Sequence, residues 1–134
     1  MDERLPEPVY VPREDFETKH RPGFSGCEDP RVTPIGNRLY MLYTAYNGDL
    51  PRVALTSIAM DDVVKKHWNW EKPRILSAPG IFDKNACLFP RKINGNYVIL
   101  HRVDRSIYID FVTEAQFQQG SEFLTTEYLF LGGL

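Results

Sequence analysis

Short apolar segments separated by turn residues run along most of the chain after residue 25. The pattern predicts strands at residues 31–35, 38–46 and 52–60, joined by turns at Gly36-Asn37 and Asn47-Gly48-Asp49. A short helix is predicted at 61–68 and a fourth strand at 70–76. The first half of the chain therefore predicts a four-stranded antiparallel sheet.

The same order of elements returns in the second half. Strands are predicted at 86–93, 97–103, 106–112 and near 123–130, with a short helix at 113–117. Pro30-Arg31 aligns with Pro90-Arg91, and the segment RVALTS aligns with RSIYID. A repeat of this length with four strands in each copy is typical of β-propeller blades, which contain about 40–50 residues each. One small sandwich built from two similar sheets is the alternative.

The strand at 38–46 is apolar on both faces. Leu39 and Met41 point to one side, and Tyr40 and Leu42 point to the other. Sheets that are covered on both faces give this pattern, as blades inside a ring do. Residues 1–25 are rich in proline and charge, so we expect them to form an extended arm outside the core. The expected organisation is an arm at 1–25, then two blades of an incomplete, all-β propeller at 26–134.

Composition excludes several classes of protein. The 134 residues are 43% hydrophobic and 25% charged, as in an ordinary globular domain. The net charge of −2 is spread along the chain, so we expect no nucleic acid or membrane partner. The N-terminus lacks a secretory signal, which favours the cytoplasm. Cys27 and Cys87 are expected to be reduced thiols, and no spacing indicates a metal site.

The densest candidate site is the segment Gly26-Cys27-Glu28-Asp29-Pro30-Arg31. Two adjacent carboxylates and an arginine come just before the predicted innermost strand, where ligand-binding groups often project. Neighbouring residues of a strand point to opposite sides, so one carboxylate should act on a substrate and the other should brace the loop. An ordinary Asp-Pro turn with an arginine partner is the structural alternative.

Four segments together resemble glycoside hydrolase family 130, the mannoside phosphorylases and related mannosidases. They are GCEDPR, IGNRLYMLYTAYNG, RVALTS and DKNACLFPRKINGNYVILHR, and they occur in the family's order. The resemblance implies a five-bladed propeller, of which this chain contains about two blades. It also implies that Asp29 is the general acid, which leaves Glu28 as the residue that braces the loop. One departure is Arg91, which stands where many relatives have a glutamate.

The resemblance further implies an inverting phosphorolysis. Asp29 would protonate a hydroxyl of the mannosyl residue, this hydroxyl would protonate the glycosidic oxygen, and inorganic phosphate would attack the anomeric carbon. Cations must then hold the phosphate, and the resemblance assigns this role to four residues: Arg52, Lys92, His101 and Arg102. Each of them also has an ordinary structural explanation. His101 and Arg102 face opposite ways along a strand, so Arg102 is the preferred phosphate ligand.

The remaining candidates are expected to contact the sugar. They are Glu28, Arg31, Tyr46, Asp49, Asp83 and Asn85. The leading hypothesis is a phosphorylase that converts a mannose-containing oligosaccharide and phosphate into α-mannose 1-phosphate, with no cofactor. A β-mannosidase of the same family and an inactive sugar-binding fragment are the alternatives. No second glutamate suited to activating water is evident, which favours phosphorolysis. Homo-oligomerisation is left open.

Overall fold

The computed structural model describes residues 2–19, 22–120 and 122–130, and its main elements form two four-stranded antiparallel sheets. The first sheet has the order β1 (Gly26–Ile35), β2 (Arg38–Tyr46), β3 (Pro51–Ala59) and β4 (Arg74–Ile75). The second has the order β5 (Asp83–Leu88), β6 (Tyr97–Val103), β7 (Ser106–Val112) and β8 (Tyr128–Leu129). Two short helices, α1 (Met60–Val64) and α2 (Glu114–Gln119), follow β3 and β7. The prediction of two successive antiparallel sheets is confirmed.

The two sheets pack face to face around one apolar core. Residues Tyr40, Leu42, Val53 and Leu55 of the first sheet meet Ala86, Leu88, Tyr97 and Ile99 of the second. Phe117 of α2 closes the core at one end, where its ring stacks on Tyr97 with centroids 3.9 Å apart. Because each sheet keeps its own hydrogen-bonded strands, the arrangement is that of neighbouring blades in a partial β-propeller.

The outermost strands are shorter than the sequence pattern predicts. The fourth strand covers only Arg74–Ile75, although residues 70–76 were expected to be extended. Trp70 is used differently: its indole Nε1 donates to the carbonyl oxygen of Val9 at 2.8 Å. The segment just before β4 therefore contacts the N-terminal residues through Trp70 and does not extend the strand. In the second sheet, β8 is similarly reduced to Tyr128–Leu129.

The N-terminal residues are not the isolated arm that was expected. Tyr10 and Phe16 pack on the face of the first sheet that points away from the second, against Met41, Tyr43, Ala45 and Ala54. Glu17 is fully buried there. The expectation that residues 1–25 lie outside the core is therefore wrong for Tyr10, Phe16 and Glu17.

A single carboxylate organises this segment. Glu17 accepts hydrogen bonds from the hydroxyls of Tyr43 and Tyr10, the latter at 2.8 Å, and from the backbone nitrogens of Arg13 and Glu14 at 2.8 and 3.1 Å. Burial raises the pKa of Glu17, but these hydrogen bonds outweigh burial and hold its pKa below the ordinary value. The buried carboxylate of Glu17 therefore has enough hydrogen-bond donors. The sequence of this segment, which is rich in proline and charged residues, does not indicate such a buried site.

The outer face of the second sheet is apolar and uncovered by the part of the chain that the structure describes. Ile107, Phe111 and Tyr128 are 45%, 48% and 52% exposed. An open apolar face on the last sheet is expected when further blades of a propeller would continue from it. Within the described ranges, no helix is long and apolar enough to cross a membrane.

Candidate active site on two neighbouring inner strands

Asp29 lies in a β-bulge of β1, the edge strand of the first sheet. The pairing with β2 passes from Glu28 opposite Thr44 to Arg31 opposite Leu42, so two residues stand where the partner strand has one. Asp29 has a φ of 49°, in the left-handed region that few residues other than glycine, asparagine and aspartate adopt. Bulges of this kind are common beside active sites because they redirect a side chain.

Asn85 occupies the same place in the second sheet. The pairing of β5 with β6 passes from Lys84 opposite Arg102 to Cys87 opposite Leu100, again with one extra residue. Asn85 has a φ of 56° and is exposed, as Asp29 is. The true structural repeat therefore aligns Asp29 with Asn85. The alignment of Pro30 with Pro90 in the sequence is wrong for the structure, because Pro30 lies in the bulge of β1 whereas Pro90 follows the end of β5.

The two bulges lie next to each other. The backbone nitrogen of Asn85 donates to the hydroxyl of Thr44 at 3.3 Å, and Thr44 is the residue opposite Glu28. Further along, the hydroxyl of Thr33 donates to the carbonyl oxygen of Leu88 at 3.1 Å. These two contacts show that β1 and β5 run in the same direction at matching heights. Sequence reasoning missed Thr44 as the residue that links the two bulges, although a lone polar residue in an apolar strand was a usable signal.

The bulge changes the geometry expected for the two adjacent carboxylates. Simple alternation along a strand does not apply to Glu28 and Asp29, because Asp29 has left the extended conformation. Glu28 is exposed, and its carboxylate has no hydrogen-bond or salt-bridge partner among the described residues. The bracing role expected for Glu28 is therefore not supported. Arg31 is also exposed, and its Nη1 donates to the carbonyl oxygen of Pro30 at 3.3 Å.

His101 is buried between two carboxylates. Its Nδ1 lies 2.8 Å from Oδ1 of Asp83, and its Nε2 lies 2.7 Å from Oδ2 of Asp110. Burial alone lowers the pKa of His101, but the hydrogen bonds to Asp110 and Asp83 outweigh it and raise the pKa to about 9. Both ring nitrogens therefore carry protons, and each proton is donated to one of the two carboxylates. The expected role of His101 in phosphate binding is contradicted by this burial.

Both carboxylate oxygens of Asp83 are also used in buried hydrogen bonds. Its side chain is 1% exposed, and its Oδ2 accepts a hydrogen bond from Ser77 at 2.9 Å. Ser77 in turn accepts one from the backbone nitrogen of Val53 at 2.7 Å, so the chain of polar contacts reaches back into the first sheet. At the other end, Asp110 accepts from the nitrogen and hydroxyl of Thr125. The expectation that Asp83 contacts the sugar is wrong, since its oxygens hold the two blades together.

Asp110 and Ser77 are the members of this network that sequence reasoning missed. Asp110 is a single carboxylate inside the otherwise apolar strand β7. A buried charge needs a charged or hydrogen-bonding partner, and this requirement was an available signal for a partner such as His101.

Arg52 and Arg102 lie on opposite outer faces of the pair of sheets. Val53 packs in the core between the sheets, so its neighbour Arg52 points away from the second sheet. Ile99 packs in the same core, and Arg102, three residues later, points away from the first sheet. The predicted convergence of these cations is therefore not observed. The Nε atom of each is buried and has no hydrogen-bond partner in the described part of the chain.

Lys92 is far from the end of the sheets where Asp29 and Asn85 lie. It lies in the turn after β5 rather than in an inner strand, forms a salt bridge with Glu114, and its Nζ lies 4.8 Å from the ring centroid of Tyr97. Tyr97 begins β6, whereas Arg102 lies near the end of the same strand. The predicted position of Lys92 beside Asp29 is therefore wrong.

Tyr46 and Asp49 lie around the turn that follows β2. The Tyr46 hydroxyl donates to the carbonyl oxygen of Gly48 at 3.1 Å, and the backbone nitrogen of Asp49 donates to Oδ1 of Asn47 at 3.1 Å. This turn is at the same end of the first sheet as Gly26, which pairs with Tyr46. Both residues stay candidates for sugar contact. Among the described residues, no group of three or more histidine, cysteine, aspartate or glutamate side chains could hold a metal ion.

Two curated proteins of Thermoanaerobacter sp. (strain X514) are similar in sequence. A β-1,2-mannobiose phosphorylase is 38% identical over 112 residues, which cover 80% of this chain and 32% of that protein. A 1,2-β-oligomannan phosphorylase is 37% identical over 112 residues, with coverages of 81% and 33%. The chain thus spans about a third of the length of the curated relatives it matches.

Two solved structures are similar in fold. The β-1,2-mannobiose phosphorylase of Listeria innocua, in complex with β-1,2-mannobiose, superposes with a TM-score of 0.61 and 26% identity, over 82% of this chain and 29% of that one. A glycosyl hydrolase of Bacteroides ovatus gives a TM-score of 0.62 at 21% identity, over 80% of this chain and 32% of that one. The second similarity concerns the fold alone.

A family model described as β-1,4-mannooligosaccharide phosphorylase matches residues 3–122 of the chain. The match includes both sheets up to α2 and the bulges that present Asp29 and Asn85. The chain therefore belongs to glycoside hydrolase family 130, the family of the β-mannoside phosphorylases.

Proposed function

We propose that this chain forms part of the catalytic domain of an inverting β-mannoside phosphorylase, with Asp29 as the general acid. The observation that carries the proposal is the exposed bulge that directs Asp29 beside the equivalent bulge of Asn85 on the neighbouring inner strand. Family membership supports the same chemistry. The activity is that of the whole protein, because the chain spans about a third of its relatives.

In the proposed reaction, the carboxyl group of Asp29 donates its proton to a hydroxyl of the mannosyl residue. That hydroxyl passes its own proton to the glycosidic oxygen, which leaves with the electrons of the broken bond to the anomeric carbon. An oxygen of inorganic phosphate forms the new bond from the opposite face. The products are α-mannose 1-phosphate and the shortened sugar, and phosphate replaces the activated water of an inverting hydrolase.

Of the four cations expected to bind phosphate, the proposal keeps Arg52 and Arg102, which lie at the heights of the two bulges. Arg52 pairs with Ala45, which in turn pairs with Cys27, so Arg52 lies at the height of the residues just before Asp29. Arg102 pairs with Lys84, next to Asn85. The Nε atom of each arginine is buried and has no hydrogen-bond partner in the described part of the chain. This supports a hydrogen bond from each arginine to a group outside that part. The amide of Asn85 is proposed to hydrogen-bond a sugar hydroxyl.

Inorganic phosphate is the co-substrate, no cofactor is required, and we place the reaction in the cytoplasm. The test is to incubate the complete natural protein that contains this sequence with β-1,2- and β-1,4-mannobiose, with and without phosphate. Phosphorus NMR should detect α-mannose 1-phosphate in the samples that contain phosphate. Release of mannose at the same rate without phosphate would identify a hydrolase, and binding without turnover would identify an inactive sugar-binding protein.

A further inference from the structure

A cavity of about 410 Å³ lies between the two blades, at the end of the sheets opposite to Asp29. Arg38, at the start of β2, and Ser57, near the end of β3, contribute to its wall, whereas Asp29 is close to the other end of the first sheet. Gln118 of α2 closes the wall from the second blade. The volume is in the range of small-molecule sites, which measure about 300–1,000 Å³.

The charges around this cavity do not balance. Arg38 donates to Ser57 from Nε and Nη2 at 3.2 and 3.0 Å, and its Nη2 lies 3.4 Å from Oε1 of Glu71. That pair is neutral. Lys72 and Arg74 also line the cavity, and neither has an acidic partner among the described residues. Two positive charges are therefore left uncompensated at one wall.

Arg74 is the more unusual of the two because it is half-buried. Its Nη1 donates to the carbonyl oxygen of Gln118 at 2.8 Å, but its Nε is buried and has no acceptor in the described part of the chain. The guanidinium also packs closely on Gly120, since a Cβ added there would lie 2.8 Å from Nη1. Burial lowers the pKa of Arg74. A partly buried cation without an acidic partner is a favourable place for an anion to bind.

We propose that this cavity binds a phosphate group between Lys72 and Arg74, carried either as inorganic phosphate or as the monoester of a sugar. A dianion matches the two uncompensated charges better than a carboxylate does, and arginine binds phosphate oxygens through its planar fork. Ser57, Glu71 and Gln118 provide partners for sugar hydroxyls. The site does not depend on the catalytic proposal, because it is at the far end of the sheets and its named residues all lie outside the Asp29 region.

The test is titration calorimetry on the 134-residue chain at low salt with three probes: inorganic phosphate, glucose 6-phosphate and glucose. Phosphate, glucose 6-phosphate or both should bind, and glucose alone should not. Lys72→Gln should weaken binding about tenfold or more, because a charged hydrogen bond is lost. Lys65→Gln, which removes an exposed charge from the surface next to α1, is the matched control and should leave affinity within about twofold.

A second control separates this cavity from the proposed catalytic phosphate site. Arg52 is at the other end of β3, so binding that Arg52→Gln removes belongs to the proposed catalytic site, whereas binding that Lys72→Gln removes belongs to the cavity. Tighter binding of glucose 6-phosphate than of phosphate would identify the monoester as the ligand, and the reverse would identify the free anion. The proposal is wrong if neither phosphorylated probe binds, if Lys65→Gln weakens binding as much as Lys72→Gln, or if only Arg52→Gln abolishes it.

Discussion

Asp29 and Asn85 occupy equivalent bulges in two neighbouring blades, and both have left-handed backbone conformations, with φ of 49° and 56°. Aspartate and asparagine are the residues other than glycine that tolerate this conformation best. The blade repeat has therefore placed a carboxyl group on one inner strand and an amide on the next, at the same height. A carboxyl group beside a hydrogen-bonding amide suits the general acid catalysis that we propose for this site.

We predict that Asp29→Asn lowers the rate of phosphorolysis by about 10²–10⁴-fold, because an amide has no acidic proton to donate. The loss should be much smaller for an aryl mannoside with an activated leaving group, which hardly needs protonation. Initial rates on a mannobiose and on an aryl mannoside, measured in the complete protein, check both statements. An equal loss on both substrates would contradict the role of a general acid.

Glu28→Gln is the matched control for that experiment. Glu28 is exposed and its carboxylate has no partner among the described residues, so stability should change by less than about 0.5 kcal/mol. Its substitution should not produce the dependence on the leaving group. If Glu28→Gln shows this dependence and Asp29→Asn does not, then the two carboxylates have exchanged roles.

We predict that Asn85→Ala destabilises the chain by about 1–2 kcal/mol, because alanine does not favour the left-handed backbone of the bulge. Asn85→Gly should retain stability, since glycine adopts this conformation without a steric penalty. Urea denaturation of both variants measures the difference. If the alanine variant is as stable as the glycine variant, the left-handed bulge is not important for folding.

The alanine and glycine variants of Asn85 also separate the role of its backbone from the role of its side chain. Asn85→Gly keeps the bulge but removes the amide that we propose to contact the sugar. In the complete enzyme it should raise the KM for the mannoside. An unchanged KM would exclude Asn85 from substrate binding.

We predict that His101 stabilises the fold in a pH-dependent way. Its pKa is raised to about 9 in the folded chain, above the ordinary value of 6.5, so folding favours the protonated form. The stabilisation is fully present below pH 6.5 and is lost as the pH rises through about 9. Its magnitude is on the order of 3 kcal/mol. The difference in unfolding free energy between the natural chain and His101→Gln should therefore shrink between pH 6 and pH 10.

His67→Gln provides the comparison, because His67 is exposed in the connection after α1. It should change stability by less than about 0.5 kcal/mol at every pH. A pH-independent difference for His101→Gln would show that its imidazole acts through packing rather than through its charge between Asp83 and Asp110.

We predict that Glu17→Ala lowers the unfolding free energy by about 1–3 kcal/mol, because the hydroxyls of Tyr43 and Tyr10 lose their buried acceptor. Limited proteolysis should then cleave the segment before β1 faster. Glu7→Ala, at an exposed position of the same segment, should alter neither property. Equal protease resistance of both variants would contradict the tethering role of Glu17.

Several features followed from the sequence pattern alone. The apolar pattern predicted β2, β6 and β7 with their observed bounds, because each is a mostly apolar strand between clear turn residues. The repeat predicted two antiparallel sheets, and the motif around Asp29 singled out the segment that contains the bulge, although the bulge itself was not predicted. These are local properties, and neighbouring residues in the sequence are sufficient to determine them.

The contacts between distant residues were decided only by the tertiary structure. His101 and Asp83 have the residue types of a ligand site, yet burial pairs them with each other and with Asp110. Lys92 is separated from Asp29 because it follows the end of β5, in the turn at the opposite end of the second sheet from the Asn85 bulge. Glu17 enters the core through Tyr43, which is 26 residues away. The sequence by itself determined which chemical groups are present and which segments become strands, whereas burial and strand register decided which of those groups face solvent, because both depend on residues far apart in the chain.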